Sequence, residues 1–251
     1  MSGLLIILFG KTRKVSDLIS KFDKEYICEM QLHDFVSESK IIEVFNKFIG
    51  DIYQKPPLRA AVKKSPRIRR IYSIEVLDIV KRNILFKAKV QAGTYIRKLC
   101  FDIGEILGCG AHMTELRRTK IGPFSEDDER VATLHELVGA YKEWKNNKNE
   151  KYLRAFTLPI EELLDFLPKI YIKDTAIFSI THGSYVAAPG VIAATNDLKM
   201  NSYVTINTER NEIIAIGIST VDLSKLQKMD KGMVAKIDKV ISFTQTAGSG
   251  I

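Results

Sequence analysis

From Glu25 to His33 the side chains fall into two alternating sets, Tyr26, Cys28, Met30 and Leu32 on one side and Ile27, Glu29, Gln31 and His33 on the other. A period of two predicts a half-buried strand. A helix follows, with Ser37 or Ser39 as cap, Ile41, Val44, Phe45 and Phe48 as its apolar stripe and Gly50 as a stop. Lys55-Pro56-Pro57 cannot continue that helix. Residues 71–79 and 84–90 read as strands, and Lys81-Arg82-Asn83 between them predicts an antiparallel hairpin. From Ile96 the spacing turns helical through Leu99, Cys100, Ile103, Ile106 and Leu107, and Gly108 ends it. Gly93-Thr94-Tyr95 therefore sits at a strand-to-helix junction, where rigid elements on both sides fix what the connecting residues present.

The polar stretch 142–151 reads as the exposed end of a helix with a linker, and a boundary is expected near 155–168. Beyond Pro168 short strand candidates dominate: 203–207, 213–219 and 233–241, with Asn211 in a turn between the first two. This predicts a small β-rich barrel. The final Thr246-Ala247-Gly248-Ser249-Gly250 reads as a frayed tail.

Composition, with 251 residues and 45% hydrophobic content, allows a sizeable core in one or two domains. No apolar run is long enough to span a bilayer, and Leu4–Phe9 has no small-residue cleavage site after it. Cys28, Cys100 and Cys109 fit neither a disulfide framework nor a zinc knuckle, and the four histidines show no paired-ligand spacing. A soluble, cytoplasmic protein in a reducing compartment, without metal, is expected.

Charge is more informative by position than by sum. Residues 161–251 carry 9 basic against 10 acidic side chains, so residues 1–160, with 29 against 20, hold the whole positive excess. Lys55, Arg59, Lys63, Lys64, Arg67, Arg69 and Arg70 follow one another with no acidic residue between. Such a run attracts a polyanion by counterion release, or is simply a solvated basic loop.

Two segments, QKPPLRAAVKKSPRIRRIY at 54–72 and AGTYIRKLCFDIGEILGCGAHMTELRRTKIGPF at 92–124, resemble pseudouridine synthases of the bacterial TruB and archaeal and eukaryotic dyskerin types. The basic form of the first favours the dyskerin branch. The resemblance continues through Ser2-Gly3, GKTRK at 10–14 and KEY at 24–26. Residues 168–190 look like the opening of the attached RNA-binding PUA domain, although Met200-Asn201-Ser202 replaces that domain's usual Lys-Gly-Asp turn and 242–251 departs from the usual tail.

The resemblance implies an α+β fold: a mixed, mainly antiparallel sheet with flanking helices, incomplete at its N-terminus, in residues 1–160. A small β-barrel PUA domain would occupy 161–243, with 244–251 as tail. It implies an isomerase that breaks the N-glycosidic bond of a flipped-out uridine, turns the base and rejoins it through carbon, without a cofactor. Tyr26 would stack on the base, Tyr95 would form a second aromatic wall, Arg97 would pair with the nucleophilic Asp, and Leu116 would line the pocket. The Lys55–Arg70 run, Arg117, Arg118, His182, Gly183 and Gly190 would meet RNA.

That Asp belongs to a G-T-L-D-P-x-x-x-G segment whose last glycine corresponds to Gly3, so it is expected just ahead of Met1. Asp23, Asp34 and Asp51 lie outside any such motif. A gene truncated, or read from too late a start, is the favoured explanation, with a split gene whose other half supplies the Asp or a decayed copy as alternatives; absence of the upstream stretch would leave sheet edges unpaired and Arg97 a buried, unpaired charge costing about 3–5 kcal/mol.

The functional expectation is the synthase subunit of an H/ACA-type guide complex acting on ribosomal or transfer RNA. Its partners would be a guide RNA, the small H/ACA accessory proteins and a kink-turn-binding protein, with no membrane and no DNA. A non-catalytic RNA-binding remnant or scaffold is the alternative, and a DNA-binding regulator a third class lacking any helix-turn-helix or zinc signature.

Overall fold

A computed structural model of the chain describes residues 1–55 and 65–241. They divide into two compact units: Met1–Ile7 with Val15–Thr133, and Leu8–Lys14 with the chain from Leu134 onward.

The first unit is built on a seven-stranded sheet. Its elements in chain order are β1 (Ser2–Gly3), α1 (Ser16–Ser20), β2 (Lys24–Leu32), α2 (Glu38–Lys47), β3 (Gly50–Gln54), β4 (Arg67–Val80), β5 (Asn83–Val90), α3 (Ile96–Leu107), β6 (Ala111–Ile121) and β7 (Phe124–Ser125). The strand order is β1-β6-β2-β5-β4-β3, with β7 on β6, and only the β1–β6 pair is parallel.

One face of this sheet carries the core. Period-two alternation turns Cys28, Met30 and Leu32 of β2 and Ile84, Phe86 and Ala88 of β5 the same way, and all are fully buried. The helical stripes complete the layer, Ile41, Val44 and Phe45 from α2 and Leu99, Cys100 and Ile103 from α3. Phe45 meets Phe86 edge-on with ring centroids 5.2 Å apart, each buried ring contributing roughly 1.5–3 kcal/mol by removal from water. Cys28 and Cys100 face each other across strand and helix at 3.6 Å between sulfurs, both as free thiols. The hydrogen bond shared with Cys28, together with burial, pushes the Cys100 thiol up from its ordinary value.

Several expectations take a different form. Ser37 occupies the N-cap position of α2 without a side-chain capping bond, and the helix stops at Lys47 with Phe48 as its C-cap. Gly50, with φ +116°, instead opens β3, a strand that short polar alternation had hidden. β4 starts at Arg67 and runs 14 residues because irregularities between Ile71 and Ser73 and between Val76 and Asp78 absorb the breaks in its alternation. Three residues of the basic run, Arg67, Arg69 and Arg70, therefore lie in a strand. β6 went unrecognised because Arg117, Arg118 and Lys120 interrupt its pattern.

The second unit begins with α4 (Leu134–Asn147), α5 (Lys151–Ala155) and α6 (Ile160–Leu163). There follow β8 (Lys169–Ile172), α7 (Asp174–Thr181), β9 (Val186–Ala187), β10 (Val191–Ala194), β11 (Tyr203–Asn207), β12 (Ile213–Ser219), α8 (Leu223–Leu226) and β13 (Met233–Val240). A six-stranded sheet, ordered β10-β8-β11-β12-β13-β9, wraps Ile170, Ile172, Val204, Ile206, Ile214 and Val234 into its own core. Asn201 and Asn211 take left-handed turn conformations, which asparagine tolerates. Residues 134–160, expected with the first domain, group with this unit.

Candidate active site

Tyr26 stands on the core face of β2, half-buried at the edge of the hydrophobic layer. Its register partners are Ala88 on β5 and Arg118 on β6, and two residues along, Leu116 lies opposite Cys28. Tyr26 and Leu116 thus share the helix-covered face, and both pack against its core.

The N-terminal segment reaches the same place. Gly3 pairs with Arg118 in the parallel β1–β6 ladder, Leu4 N–H donates to the Arg118 carbonyl at 2.8 Å, and Arg118 Nε donates to the Leu4 carbonyl at 2.8 Å. Gly3 has φ +107°, and a Cβ there would lie 2.3 Å from the Arg118 carbonyl oxygen. Only glycine allows this approach. Gly3, Arg118 and Tyr26 consequently lie side by side on three neighbouring strands.

Tyr95 caps the N-terminus of α3 and is fixed by Gln54, the last residue of β3. Tyr95 N–H donates to Gln54 Oε1 at 3.0 Å, and Gln54 Nε2 donates to the Tyr95 carbonyl at 3.2 Å. Gln54 is only 2% exposed. The preceding turn is held in the same way: Gln91 N–H donates to the Arg70 carbonyl at 2.8 Å, Arg70 N–H returns a bond to Gln91 Oε1 at 3.1 Å, and Thr94 Oγ1 donates to the Gln91 carbonyl at 2.7 Å. Gly93, with φ +81°, lies under the Arg69 guanidinium. These clamps, Gln54 and Gln91, escaped sequence reasoning; the one hint was the position of Gln54 at the head of the KPP segment.

Arg97 differs from expectation. It is exposed in the first turn of α3, and among the described residues no carboxylate pairs with it. Water solvates the guanidinium there, so the desolvation cost expected of a buried unpaired charge does not arise.

Of the basic run, Arg67, Arg69 and Arg70 lie on β4, and Lys55 follows β3. Lys55 is exposed just past Gln54, whose register partner is Arg67. Arg59, Lys63 and Lys64 lie outside the described residues. Arg70 is engaged by Asp51, Nε to Oδ1 at 2.6 Å, which holds the Asp51 carboxyl below its usual range. Arg117 is engaged by Glu126 at 2.8 Å. On the Tyr26 face of β2, burial and the positive charge of Arg118 lower the Lys24 ammonium below its ordinary pKa, with Asp23 opposing.

In the second unit, His182 stacks on Phe178 with ring centroids 4.2 Å apart, and its Nδ1 lies 2.7 Å from the Phe178 carbonyl. Gly183, φ +95°, opens to free space beside it. Gly190 lies elsewhere: its carbonyl accepts from Lys173 N–H at 2.9 Å, and a Cβ there would stand 3.3 Å from the Ala176 side chain in the first turn of α7. An eight-residue helix, roughly 12 Å of rise, separates the two sets. Beside Lys173 an open depression of about 540 Å³ is lined by Tyr171, Ile192, Ala193 and Glu209. Among the described residues no helix is long and apolar enough to cross a membrane, and no cluster of three or more His, Cys, Asp or Glu could hold a metal.

A helix-backed mixed sheet with an aromatic strand-to-helix junction, followed by a unit with its own six-stranded sheet, defines the class as a two-unit α+β protein. Family models match in order along the chain: the N-terminal domain of TruB family pseudouridylate synthases over 1–96, the C-terminal domain of tRNA pseudouridylate synthase B over 97–165, and the PUA domain over 168–241. A probable tRNA pseudouridine synthase B of Pyrococcus horikoshii is 43% identical over 96% of this chain and 72% of its own length. One from Archaeoglobus fulgidus is 43% identical over 96% of this chain and 74% of its own length. A crystal structure of a Cbf5–Nop10–Gar1 complex holds a chain 42% identical, with a TM-score of 0.86 over 96% of this chain and 73% of that one. An H/ACA RNP bound to a substrate RNA containing 2′-deoxyuridine holds another, 39% identical, with a TM-score of 0.84 over 94% of this chain and 71% of that one. The chain belongs to the TruB family of pseudouridylate synthases.

Proposed function

We propose that this protein is the pseudouridine-forming subunit of an H/ACA-type ribonucleoprotein, converting uridine in ribosomal or transfer RNA with a guide RNA selecting the target. The similarity to chains solved within a Cbf5–Nop10–Gar1 complex and within an H/ACA RNP supports small accessory proteins as partners. A cytoplasmic site of action fits this role.

In this reading a uridine leaves its stack and enters between Tyr26 and Tyr95. The tyrosine rings take the π-faces of the base, each stack contributing roughly 1–3 kcal/mol. Leu116 excludes water along one wall. Arg97 orients the nucleophilic carboxylate by its fork of donors, and that carboxylate arrives on the segment whose motif ends at Gly3. The N1–C1′ bond breaks, the uracil turns, C5 bonds to C1′ and gives up its proton, and N1 takes up a proton in its place. The Lys55–Arg70 run, with Arg117 and Arg118, grips the RNA backbone, while His182, Gly183 and Gly190 of the PUA unit hold the guide. Residues 1–160 act as the catalytic region and 161–243 as the RNA-anchoring region.

The observation that carries this reading is the adjacency of Gly3, Arg118 and Tyr26 on three neighbouring strands. Chemical mapping of pseudouridine tests it, in RNA incubated with the chain plus a fragment bearing the Asp motif. New pseudouridine that disappears when the fragment's Asp is changed to Asn supports the proposal; RNA bound normally yet left unmodified contradicts it. Arg97, exposed and without a carboxylate partner among the described residues, keeps a second reading in view, an RNA-binding scaffold without chemistry.

A further inference from the structure

Two cations beside Tyr26 are held differently from the other basic side chains. Lys24 stands two residues before Tyr26 on β2, on the same face, and Arg118 is the register partner of Tyr26 on β6. Both side chains are half-buried. Lys24 Nζ donates to the Ser20 carbonyl at 2.6 Å, and Arg118 Nε donates to the Leu4 carbonyl at 2.8 Å. Among the described residues neither forms an ion pair, whereas Arg70 and Arg117 are each engaged by a carboxylate.

A backbone carbonyl orients an ammonium or a guanidinium but brings no net charge. Each cation is therefore fixed in place with its charge intact. Each anchor takes one donor and leaves the rest of the ammonium and the Nη groups of the guanidinium for a ligand. Burial and the Arg118 charge lower the Lys24 ammonium below its ordinary range, and Asp23 offsets only part of this. Two like charges held together and partly out of water oppose one another until an anion arrives between them. The aromatic ring alongside takes a base, and a phosphate on the same nucleotide supplies the anion.

We propose that Lys24 and Arg118 form a cradle for one RNA phosphate, that adjoining the nucleotide whose base stacks on Tyr26, with Lys24 Nζ and the Arg118 Nη donors on its nonbridging oxygens. This rests on the RNA-modifying reading above. It makes Lys24, which lies outside the basic run, a binding residue, and it gives Arg118 one phosphate in place of a general attraction for the backbone.

A binding cycle tests it. An RNA stem-loop with a single loop uridine is prepared with one uncharged methylphosphonate at each phosphate in turn, and Kd is measured for the wild type, Lys24→Met, Arg118→Gln and Arg118→Lys. The expected result is one position beside the loop uridine at which the wild type weakens about tenfold or more. Lys24→Met and Arg118→Gln, each weaker than the wild type on unmodified RNA, lose less at that same position and as much as the wild type elsewhere. Arg118→Lys keeps the charge without the fork of donors and falls between. Should Arg118→Gln fail to fold, Lys24→Met and Arg118→Lys complete the cycle. Losses that match the wild type at every phosphate overturn the cradle and leave the two side chains as anchors of Ser20 and Leu4, with the enzymatic reading intact. Reduced sensitivity at different phosphates in the Lys24 and Arg118 variants overturns it too. Failure of the wild type to bind the RNA at all overturns both readings.

Discussion

Gln54 and Tyr95, 41 positions apart, are joined by two hydrogen bonds between one side-chain amide and both backbone groups of the tyrosine. The pair ties the last residue of β3 to the first turn of α3. The start of the basic segment and the aromatic wall of the proposed pocket are thereby fixed relative to each other.

Replacing Gln54 by Ala removes both bonds and strands two backbone groups in a nearly water-free site. A loss of about 1–3 kcal/mol in stability is expected, read from the urea midpoint. Gln54→Glu keeps the acceptor for Tyr95 N–H but loses the donor, so its loss is expected to be smaller than that of Gln54→Ala only if the Tyr95 carbonyl finds water.

Tyr26 is expected to act through its ring. Tyr26→Phe should bind a uridine-containing RNA about as tightly as the wild type, whereas Tyr26→Ala should weaken binding by about 1–3 kcal/mol. Titration of a fluorescently labelled RNA separates the two. Equal weakening by both variants would assign the contact to the phenolic hydroxyl.

At Gly3, alanine would meet the Arg118 backbone at 2.3 Å in a backbone conformation that disfavours side chains. Gly3→Ala should detach β1 from β6, cost about 1–3 kcal/mol, and speed amide exchange at Leu4, whose N–H bonds Arg118. Unchanged exchange at Leu4 would show that β1 docks independently of this contact.

Lys24 makes stability depend on alkaline pH. Its folded-state pKa lies below the ordinary 10.5 because burial and Arg118 oppose its charge. The folded state therefore holds this proton less tightly than the unfolded chain, and protonation favours unfolding. Stability gained at this site appears as pH rises through the lowered pKa toward 10.5. Urea midpoints measured from neutral to alkaline pH should rise more for the wild type than for Lys24→Met; a constant difference between them would contradict the assignment.

Local periodicity made much of this fold legible. The alternation in β2, the helical stripe ending at Gly108 and the hairpin at Lys81-Arg82 all appear where side-chain spacing places them, because each buries one face against a single core. What escaped was non-local. β3 is short and polar on its open side, and β6 carries three cations along its length, so neither shows its partner in the letters alone. Arg97 illustrates the limit at the site: a motif assigns it a role, but its exposure is set by how α3 meets the sheet. Gln54 gains meaning only when the end of β3 meets the junction at Tyr95.

The central claim is that Tyr26 and Tyr95 receive one uracil ring between them. Its most direct test replaces the target uridine by 4-thiouridine, irradiates the complex and locates the crosslinked peptides by mass spectrometry. The expected adducts fall on Tyr26 and on the Gly93–Tyr95 junction. Crosslinks confined to the PUA unit or to the outer face of the sheet, at Tyr53 or Ile68 for instance, would contradict it.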